Sequence, residues 1–203
     1  MKSKAQIRIP HRLLRAFTLI ELLVVIAVIA ILAGLLFTAI PAISKARMMA
    51  TTRAELTQIT TAIEAYKAVY NSYPPDNPNN VAQSPLYFEL MGVTLTGSTY
   101  KSLDGGYTVP ATTVHNAFGV PGILNSGATA QATDDRPAIQ SFLKDLKPGQ
   151  IGTNAGARIL LCSATETPWR YRSTNPTNNP GSYDLWVEVV AGNRTNIVAN
   201  WNR

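Results

Sequence analysis

The chain has 203 residues, a formal net charge of +6, one cysteine and two histidines. A single cysteine excludes an internal disulfide, and two histidines far apart in the sequence do not predict a metal-ligand cluster. Five of the 18 basic residues lie among the first 15 positions, so the remainder of the chain holds 13 basic against 12 acidic residues. This near balance excludes nucleic acid as a partner, and no pair of acids predicts an enzyme.

The N-terminal segment, residues 1–16, is a basic leader that precedes a long apolar stretch. Every residue from Leu22 to Phe37 is apolar or glycine, and about 20 predominantly apolar residues are enough for a helix to cross a bilayer. We therefore predict that residues 17–43 form the transmembrane part of a helix. The leader holds no acid, so the positive-inside rule predicts a single-pass protein with a cytoplasmic N-terminus and a periplasmic or extracellular C-terminal region.

One acid, Glu21, interrupts this apolar stretch. A carboxylate inside a membrane needs a cation or a proton as its partner, and no Lys, Arg or His lies between Phe17 and Ser44. Two interpretations follow. Either the partner comes from elsewhere, or the segment is a plain anchor in which Glu21 is protonated or reaches the lipid headgroups.

Residues 16–26, with the sequence AFTLIELLVVI, resemble the class III signal of type IV pilins and of the pseudopilins of type II secretion. The resemblance implies that a prepilin peptidase cuts between Ala16 and Phe17 and methylates the new N-terminus. It also implies that Glu21, the fifth residue after the cut, pairs with the N-terminal ammonium of Phe17 in a neighbouring subunit. The sequence departs from the family at Ala16, where glycine is usual, and at Pro41, which lies a few residues later than the usual helix proline.

The same resemblance implies a location and a set of partners. The location is the inner membrane, and the partners are the prepilin peptidase, other pilin-like subunits in a homo-oligomeric filament, and an inner-membrane assembly platform. We therefore predict a structural subunit of a pseudopilus or type IV pilus-like filament, in type II protein secretion.

Beyond the apolar stretch, a helical pattern continues through the soluble part of the helix, residues 44–73. Apolar side chains recur there three or four residues apart, which draws one stripe along a helix, and four charged residues lie off that stripe. The stripe consists of Leu56, Ile59, Ile63, Tyr66 and Tyr70, and the charged residues are Arg53, Glu55, Glu64 and Lys67. We predict a nearly continuous helix from Phe17 to about Ser72, since Pro74 and Pro75 follow.

The remaining residues, 74–203, are predicted to form a globular region that begins with a loop and a short helix. Pro and Asn residues predict a loop over Asn71–Asn80. The helix has Ser84 as its N-cap, Pro85 at the first helical position and Gly92 at its end.

The middle of the globular region has the least informative pattern. Residues 94–132 are predicted to be weak strands and loops. A second short helix is predicted from Asp135 to Lys147, because apolar residues share one face and Pro148 with Gly149 ends it. The neighbouring acids Asp134 and Asp135 are interpreted as helix caps rather than as a catalytic pair.

Four segments near the C-terminus have the composition of short strands separated by Asn, Pro and Gly turns. They are Ala157–Ser163, Trp169–Arg172, Tyr183–Val190 and Asn196–Trp201. We predict that they form one small antiparallel sheet that covers the apolar stripe, and that Cys162 is a buried strand residue. The predicted fold class is α+β, in which a long N-terminal transmembrane and spine helix packs on this sheet.

Three C-terminal segments, Thr167–Arg172, Asn179–Trp186 and Asn196–Asn202, look like the C-terminal region of major pseudopilins. That resemblance implies calcium bound by acidic residues in the loop before the final Asn-Trp segment. The corresponding loop here, residues 191–195, contains no carboxylate, although calcium sites usually include carboxylates. We therefore predict no cofactor, and the alternative is a calcium site rebuilt from carbonyl groups and Asp184 or Glu188.

A second function from a different class is an uncut, membrane-anchored module that binds surface polysaccharide. Its sugar-binding surface would consist of aromatic residues in the C-terminal strands, although such residues are more often part of a core. They are Trp169, Tyr171, Tyr183, Trp186 and Trp201.

Overall fold

The computed structural model of the protein describes residues 17–128, 137–191 and 194–201, without the side chains of residues 35–41. The leader, residues 1–16, lies outside the described residues, and with it Ala16 of the predicted cleavage site. The chain divides into two compact units, Met1–Ser44 and Lys45–Arg203. It combines an N-terminal helix with shorter helices and small antiparallel and mixed sheets, so the predicted α+β class is confirmed.

Helix α1 comprises Leu19–Tyr70 and agrees with the predicted continuous helix. It ends where Asn71 adopts a left-handed conformation with φ 53°, and the N–H group of Asn71 still donates to the carbonyl oxygen of Lys67 at 2.8 Å. Asparagine tolerates this conformation at a helix C-terminus. Within the part of the chain that the structure describes, no helix combines the length and the apolar character needed to cross a membrane.

The apolar stripe of α1 lies at the centre of the core of the second unit. Ile59, Ile63 and Tyr66 are at most 1% exposed, and Leu56 and Tyr70 are partly buried against the same core. Fully burying one such side chain contributes about 1.5–3 kcal/mol. The burial of this stripe, which confirms the prediction, therefore stabilises the second half of α1 more than helix propensity does.

One charged residue beside the stripe is buried. Glu55 is only 5% exposed, and its carboxylate accepts hydrogen bonds from the backbone N–H of Ser163 at 3.1 Å and from the Ser163 hydroxyl. One turn earlier, the hydroxyl of Thr52 lies 3.4 Å from the sulfur of Cys162. Cys162 is fully buried in a strand, as predicted, and these contacts fasten α1 to the end of that strand.

The loop predicted over residues 71–80 is present, and helix α2 after it comprises Leu86–Met91. Pro85 occupies the N-cap position, one residue before the predicted place, and the hydroxyl of Ser84 accepts the N–H of Leu86 at 3.1 Å. Gly92 ends the helix with φ 72°. A Cβ atom at Gly92 would lie 2.9 Å from the carbonyl oxygen of Gln140, so the position requires glycine.

The middle of the chain contains the strands that the sequence predicted only weakly. They are β1 (Val93–Thr96), β2 (Thr99–Ser102), β3 (Thr108–Pro110) and β4 (Ser126–Gly127). The first three form an antiparallel meander, and β4 pairs with β1 in parallel. The result is a four-stranded mixed sheet with the order β3-β2-β1-β4.

Helix α3, Ala111–Phe118, was not predicted from the sequence. Its buried side chains, Val114, Ala117 and Phe118, have the spacing of a helix face. Gly119 ends the helix with φ 69°. The local signal was therefore present, but the segment is short and its composition is rich in threonine and alanine.

The helix predicted over Asp135–Lys147 is wrong for the residues that the structure describes, 137–147, and the proposed caps Asp134 and Asp135 lie outside them. The backbone N–H groups of this segment bind other parts of the fold. Phe142 and Leu143 both donate to the carbonyl oxygen of Leu90, at 2.8 and 3.2 Å. Leu143 still enters the core, so the apolar pattern was real while tertiary hydrogen bonds replaced those of a helix.

The C-terminal part consists of six strands in two three-stranded sheets. They are β5 (Ile151–Asn154), β6 (Ala157–Cys162), β7 (Thr167–Pro168), β8 (Arg170–Arg172), β9 (Asp184–Ala191) and β10 (Arg194–Ala199). The four predicted strands are present as β6, β8, β9 and β10.

The prediction that these strands form a single sheet is wrong. One sheet has the order β5-β6-β7 and the other has the order β10-β9-β8. The change of sheet occurs at Trp169, whose side chain is buried and whose N–H donates to the carbonyl oxygen of Leu160 at 3.0 Å. The inward residues Leu185, Val187 and Val189 of β9 join the same core as the α1 stripe.

Candidate functional site at the start of helix α1

Glu21 forms a capping box with Thr18 at the start of α1. The backbone N–H and the hydroxyl of Thr18 donate to one carboxylate oxygen of Glu21, Oε2, at 3.0 and 2.9 Å. In return, the N–H of Glu21 donates to the Thr18 hydroxyl oxygen at 3.2 Å. These reciprocal bonds satisfy N–H groups that have no partner within the helix, which explains why α1 begins at Leu19.

The electrostatics of this helix end favour a carboxylate. The aligned peptide dipoles place partial positive charge at a helix N-terminus, and Glu21 lies in the first turn. Thr18 is the hydrogen-bond partner of Glu21 in the described part of the chain, and it carries no charge. The described residues from 17 to 44 include no basic side chain, so the negative charge has no counterion within its own segment.

The surface around Glu21 is apolar on every side of the helix. Twelve large apolar side chains between positions 17 and 32 are each 46–81% exposed. They are Phe17, Leu19, Ile20, Leu22, Leu23, Val24, Val25, Ile26, Val28, Ile29, Ile31 and Leu32. Soluble monomers rarely expose a contiguous apolar surface of this kind, and such surfaces commonly mark sites of contact with lipid or with other protein chains.

Two of the three residues singled out by the sequence lie in this site. Phe17 is 72% exposed and directly precedes the Thr18 cap, and Glu21 lies in the first turn of the helix. Sequence reasoning missed Thr18, although a Thr followed three residues later by Glu before an apolar run is a capping-box pattern.

The second unit contains an open groove of about 770 Å³ between α1 and β10. Hydroxyl and amide side chains dominate its polar lining, among them Thr57, Thr61, Asn179 and Asn200. Glu64 is the one acid among the lining residues. Arg53 is the other charged residue of the lining.

The structure separates the five aromatic residues proposed for a sugar-binding surface. Trp169, Tyr171 and Tyr183 are at most 3% exposed and belong to the core. Trp186 and Trp201 are partly exposed and contact each other edge to face, with ring centroids 5.6 Å apart. The prediction of a sugar-binding surface made of all five aromatic residues is therefore wrong, and two of the rings remain accessible.

The two acids considered for a rebuilt calcium site have other partners. Glu188 forms an ion pair with Arg170. Asp184 is 2% exposed and accepts backbone N–H groups of the preceding loop. Among the described residues, no group of three or more His, Cys, Asp or Glu side chains is arranged to hold a metal ion.

Comparison with known proteins gives one finding for the N-terminus and none for the fold. No solved structure matches the chain. The family model of the prokaryotic N-terminal methylation motif matches residues 14–37, which include Phe17, Thr18 and Glu21. The chain thus carries the class III signal that is typical of type IV pilin-like proteins.

Proposed function

We propose that this chain is a structural subunit of a type IV pilin-like filament, stored in the inner membrane and processed by a prepilin peptidase. The observation that carries the proposal is the methylation motif over residues 14–37. Within that match, the described residues present one carboxylate at a helix start, among exposed apolar side chains. A catalytic role is not part of the proposal, because proteins with this motif are structural.

Processing creates the positive counterion that Glu21 lacks in its own segment. A cut between Ala16 and Phe17 removes the basic leader and leaves an ammonium group on Phe17, directly before the Thr18 cap. A membrane-embedded carboxylate needs a cation or a proton as its partner, and this ammonium is such a cation. In the proposed assembly, the ammonium of Phe17 in one subunit neutralises Glu21 of its neighbour, while the exposed apolar side chains leave lipid and pack against other helices.

Type II secretion is the machine that we favour. The three C-terminal segments that look like those of major pseudopilins fall on β7, β8 and β9 with the loop before β9, and on β10 with the residues after it. The strands that these segments contain are the observation that supports a shared C-terminal architecture. The assembly platform of such a system is the proposed membrane partner.

The polysaccharide-binding alternative rests on the partly exposed pair Trp186 and Trp201. The two proposals differ at the N-terminus of the mature protein. Mass spectrometry of the protein from cells with a prepilin peptidase is expected to find a methylated Phe17. An intact Met1 would contradict processing and would favour the uncut anchor.

The charge of Glu21 and its capping role can be separated. Glu21→Gln keeps a side-chain oxygen that accepts the Thr18 N–H, as Gln does in natural capping boxes, but it removes the negative charge. Thr18→Val removes the hydroxyl and keeps the charge. We expect Glu21→Gln to insert and be cut normally yet to fail to form crosslinked oligomers, as Glu21→Ala should.

The matched control is Glu166→Gln, because Glu166 is an exposed acid in the second unit. It should crosslink like the wild type. If Glu21→Gln formed the same oligomers as the wild type while Thr18→Val did not, then Glu21 would act as a helix cap, and charge pairing between subunits would be refuted.

A further inference from the structure

The loop between β8 and β9 is closed by two buried carboxylates that bind its backbone. Asp76 and Asp184 are 4% and 2% exposed. Neither is in an ion pair in the part of the chain that the structure describes, where the one salt bridge joins Arg170 to Glu188. Their negative charges are instead surrounded by hydrogen-bond donors.

Asp184 binds three consecutive backbone N–H groups. Its Oδ2 atom accepts from Thr177 at 2.8 Å and from Asn178 at 2.9 Å, and its Oδ1 atom accepts from Asn179 at 2.9 Å. The side-chain amide of Asn178 adds a fourth donor at 3.2 Å. Successive N–H groups that converge on one anion form a concave anion site, and here the anion belongs to the same chain.

Asp76 likewise accepts consecutive backbone N–H groups, at the other end of the loop. It accepts the backbone N–H groups of Ser173 and Thr174, each at 3.0 Å, and the hydroxyl of Thr174 at 2.7 Å. The two carboxylates together bind five backbone N–H groups between residues 173 and 179.

Asn200 then ties this loop to the C-terminal strand. Its side-chain oxygen accepts the N–H of Leu185 at 3.0 Å and the side-chain amide of Asn179 at 3.1 Å, and its Nδ2 atom donates to the carbonyl oxygen of Tyr183 at 2.9 Å. This side chain therefore joins three segments without an ion.

The groups that surround Asp184 do not fit a calcium site. Calcium takes six to eight oxygen ligands at about 2.3–2.6 Å, usually with carboxylates among them. The oxygens of Asp184 face N–H groups, Glu188 is paired with Arg170, and residues 186–191 of β9 pair with residues 194–199 of β10. A cation at Asp184 would have to displace hydrogen-bond donors that already compensate the charge.

We propose that Asp76, Asp184 and Asn200 close the 173–184 loop by hydrogen bonds alone, and that the C-terminal region folds and stays closed without a divalent cation. The loop uses internal carboxylates where a calcium-dependent loop uses an ion. The proposal does not depend on filament assembly, because all of these residues lie in the second unit.

The first test compares the full chain in detergent with added calcium and with EGTA. If the chain had a calcium site, calcium at a concentration of about 100 times its Kd would raise Tm by roughly 5–10 °C for a chain of this size. We expect no shift in Tm and the same rate of trypsin cleavage after Arg172 in both conditions. A rise in Tm with calcium, or faster cleavage in EGTA, would overturn the proposal.

The second test uses Asp184→Asn with Asp145→Asn as its matched control, since Asp145 is exposed. Asparagine at 184 would present an amide donor to backbone donors, and we expect cleavage after Arg172 to rise by about tenfold or more in calcium and in EGTA alike. Asp145→Asn should cleave at the wild-type rate. A wild-type rate for Asp184→Asn would also overturn the proposal. Should that variant fail to fold, the comparison of the wild type in calcium and in EGTA still tests the proposal.

Discussion

Raising the pH from about 4.5 to about 7 is expected to destabilise the second unit through one buried acid, Glu89. Glu89 is fully buried on α2. Its carboxylate accepts the N–H groups of Leu124 at 2.9 Å and Asn125 at 3.0 Å, and the hydroxyl of Tyr66 at 2.9 Å. All three partners are neutral donors, so the charged form of Glu89 is held in the core without a cation.

Folding raises the pKa of Glu89 from 4.5 to about 6. Burial is the main cause, and the hydrogen bonds from Asn125, Leu124 and Tyr66 oppose it by stabilising the charged form. Because the pKa is higher in the folded state, the contribution of Glu89 to stability is fully present below pH 4.5 and is lost as the pH rises through about 6. A shift of this size corresponds to about 2 kcal/mol.

The measurement is the free energy of unfolding in urea at a series of pH values, for the wild type and for Glu89→Gln, which cannot ionise. Other acids titrate in both proteins, so their effects cancel in the difference. We expect the wild-type advantage over Glu89→Gln to fall by about 2 kcal/mol as the pH rises from about 4.5 to about 7. Tyr66→Phe removes one donor to the charged form and should move this change to higher pH. A difference that stays constant with pH would refute the reasoning.

Further expectations concern packing, backbone conformation and access. Ile63→Ala should lower the free energy of urea unfolding by about 2–5 kcal/mol, because Ile63 is fully buried, whereas Ile197→Ala at a half-exposed position should change it by no more than about 0.5 kcal/mol. Gly92→Ala should cost about 1 kcal/mol or more in the same assay, because a Cβ atom there meets the carbonyl oxygen of Gln140. Cys162 is fully buried, and maleimide labelling followed by mass spectrometry should modify it only in denaturant. Equal losses at positions 63 and 197, an unchanged Gly92→Ala, or fast labelling of the native protein would contradict these expectations in turn.

The parts of the fold that the sequence predicted are those with a strong local pattern. The stripe of α1 repeats over several turns, and Asn71 with the prolines after it marks the end of the helix, so both were predictable. The strands β6, β8, β9 and β10 each have their own apolar residues and turn residues at their ends. The methylation motif was also readable, because it occupies consecutive positions.

The parts that failed depend on contacts between distant segments. The helical pattern of residues 137–147 was overruled because the carbonyl oxygen of Leu90 and the side chain of Asn125 bind the N–H groups of Phe142, Leu143 and Gln140. None of these pairings is visible in the sequence around residue 140. The split into two sheets likewise depends on Trp169 bonding to Leu160 while β8 pairs with β9.

The buried acids have one feature in common that sets Glu21 apart. Glu55, Asp76, Glu89 and Asp184 are each at most 5% exposed, and each accepts at least one backbone N–H from a segment distant from it or from the preceding loop. Hydrogen-bond donors within the fold compensate their charges at least in part, since an unpaired buried charge is costly. Glu21 is different, because its partner is the cap residue of its own helix turn and its surroundings are exposed and apolar. Glu21 therefore lies where a positive charge from another molecule can reach it. The Glu21→Gln variant removes the negative charge of Glu21 while the helix cap remains.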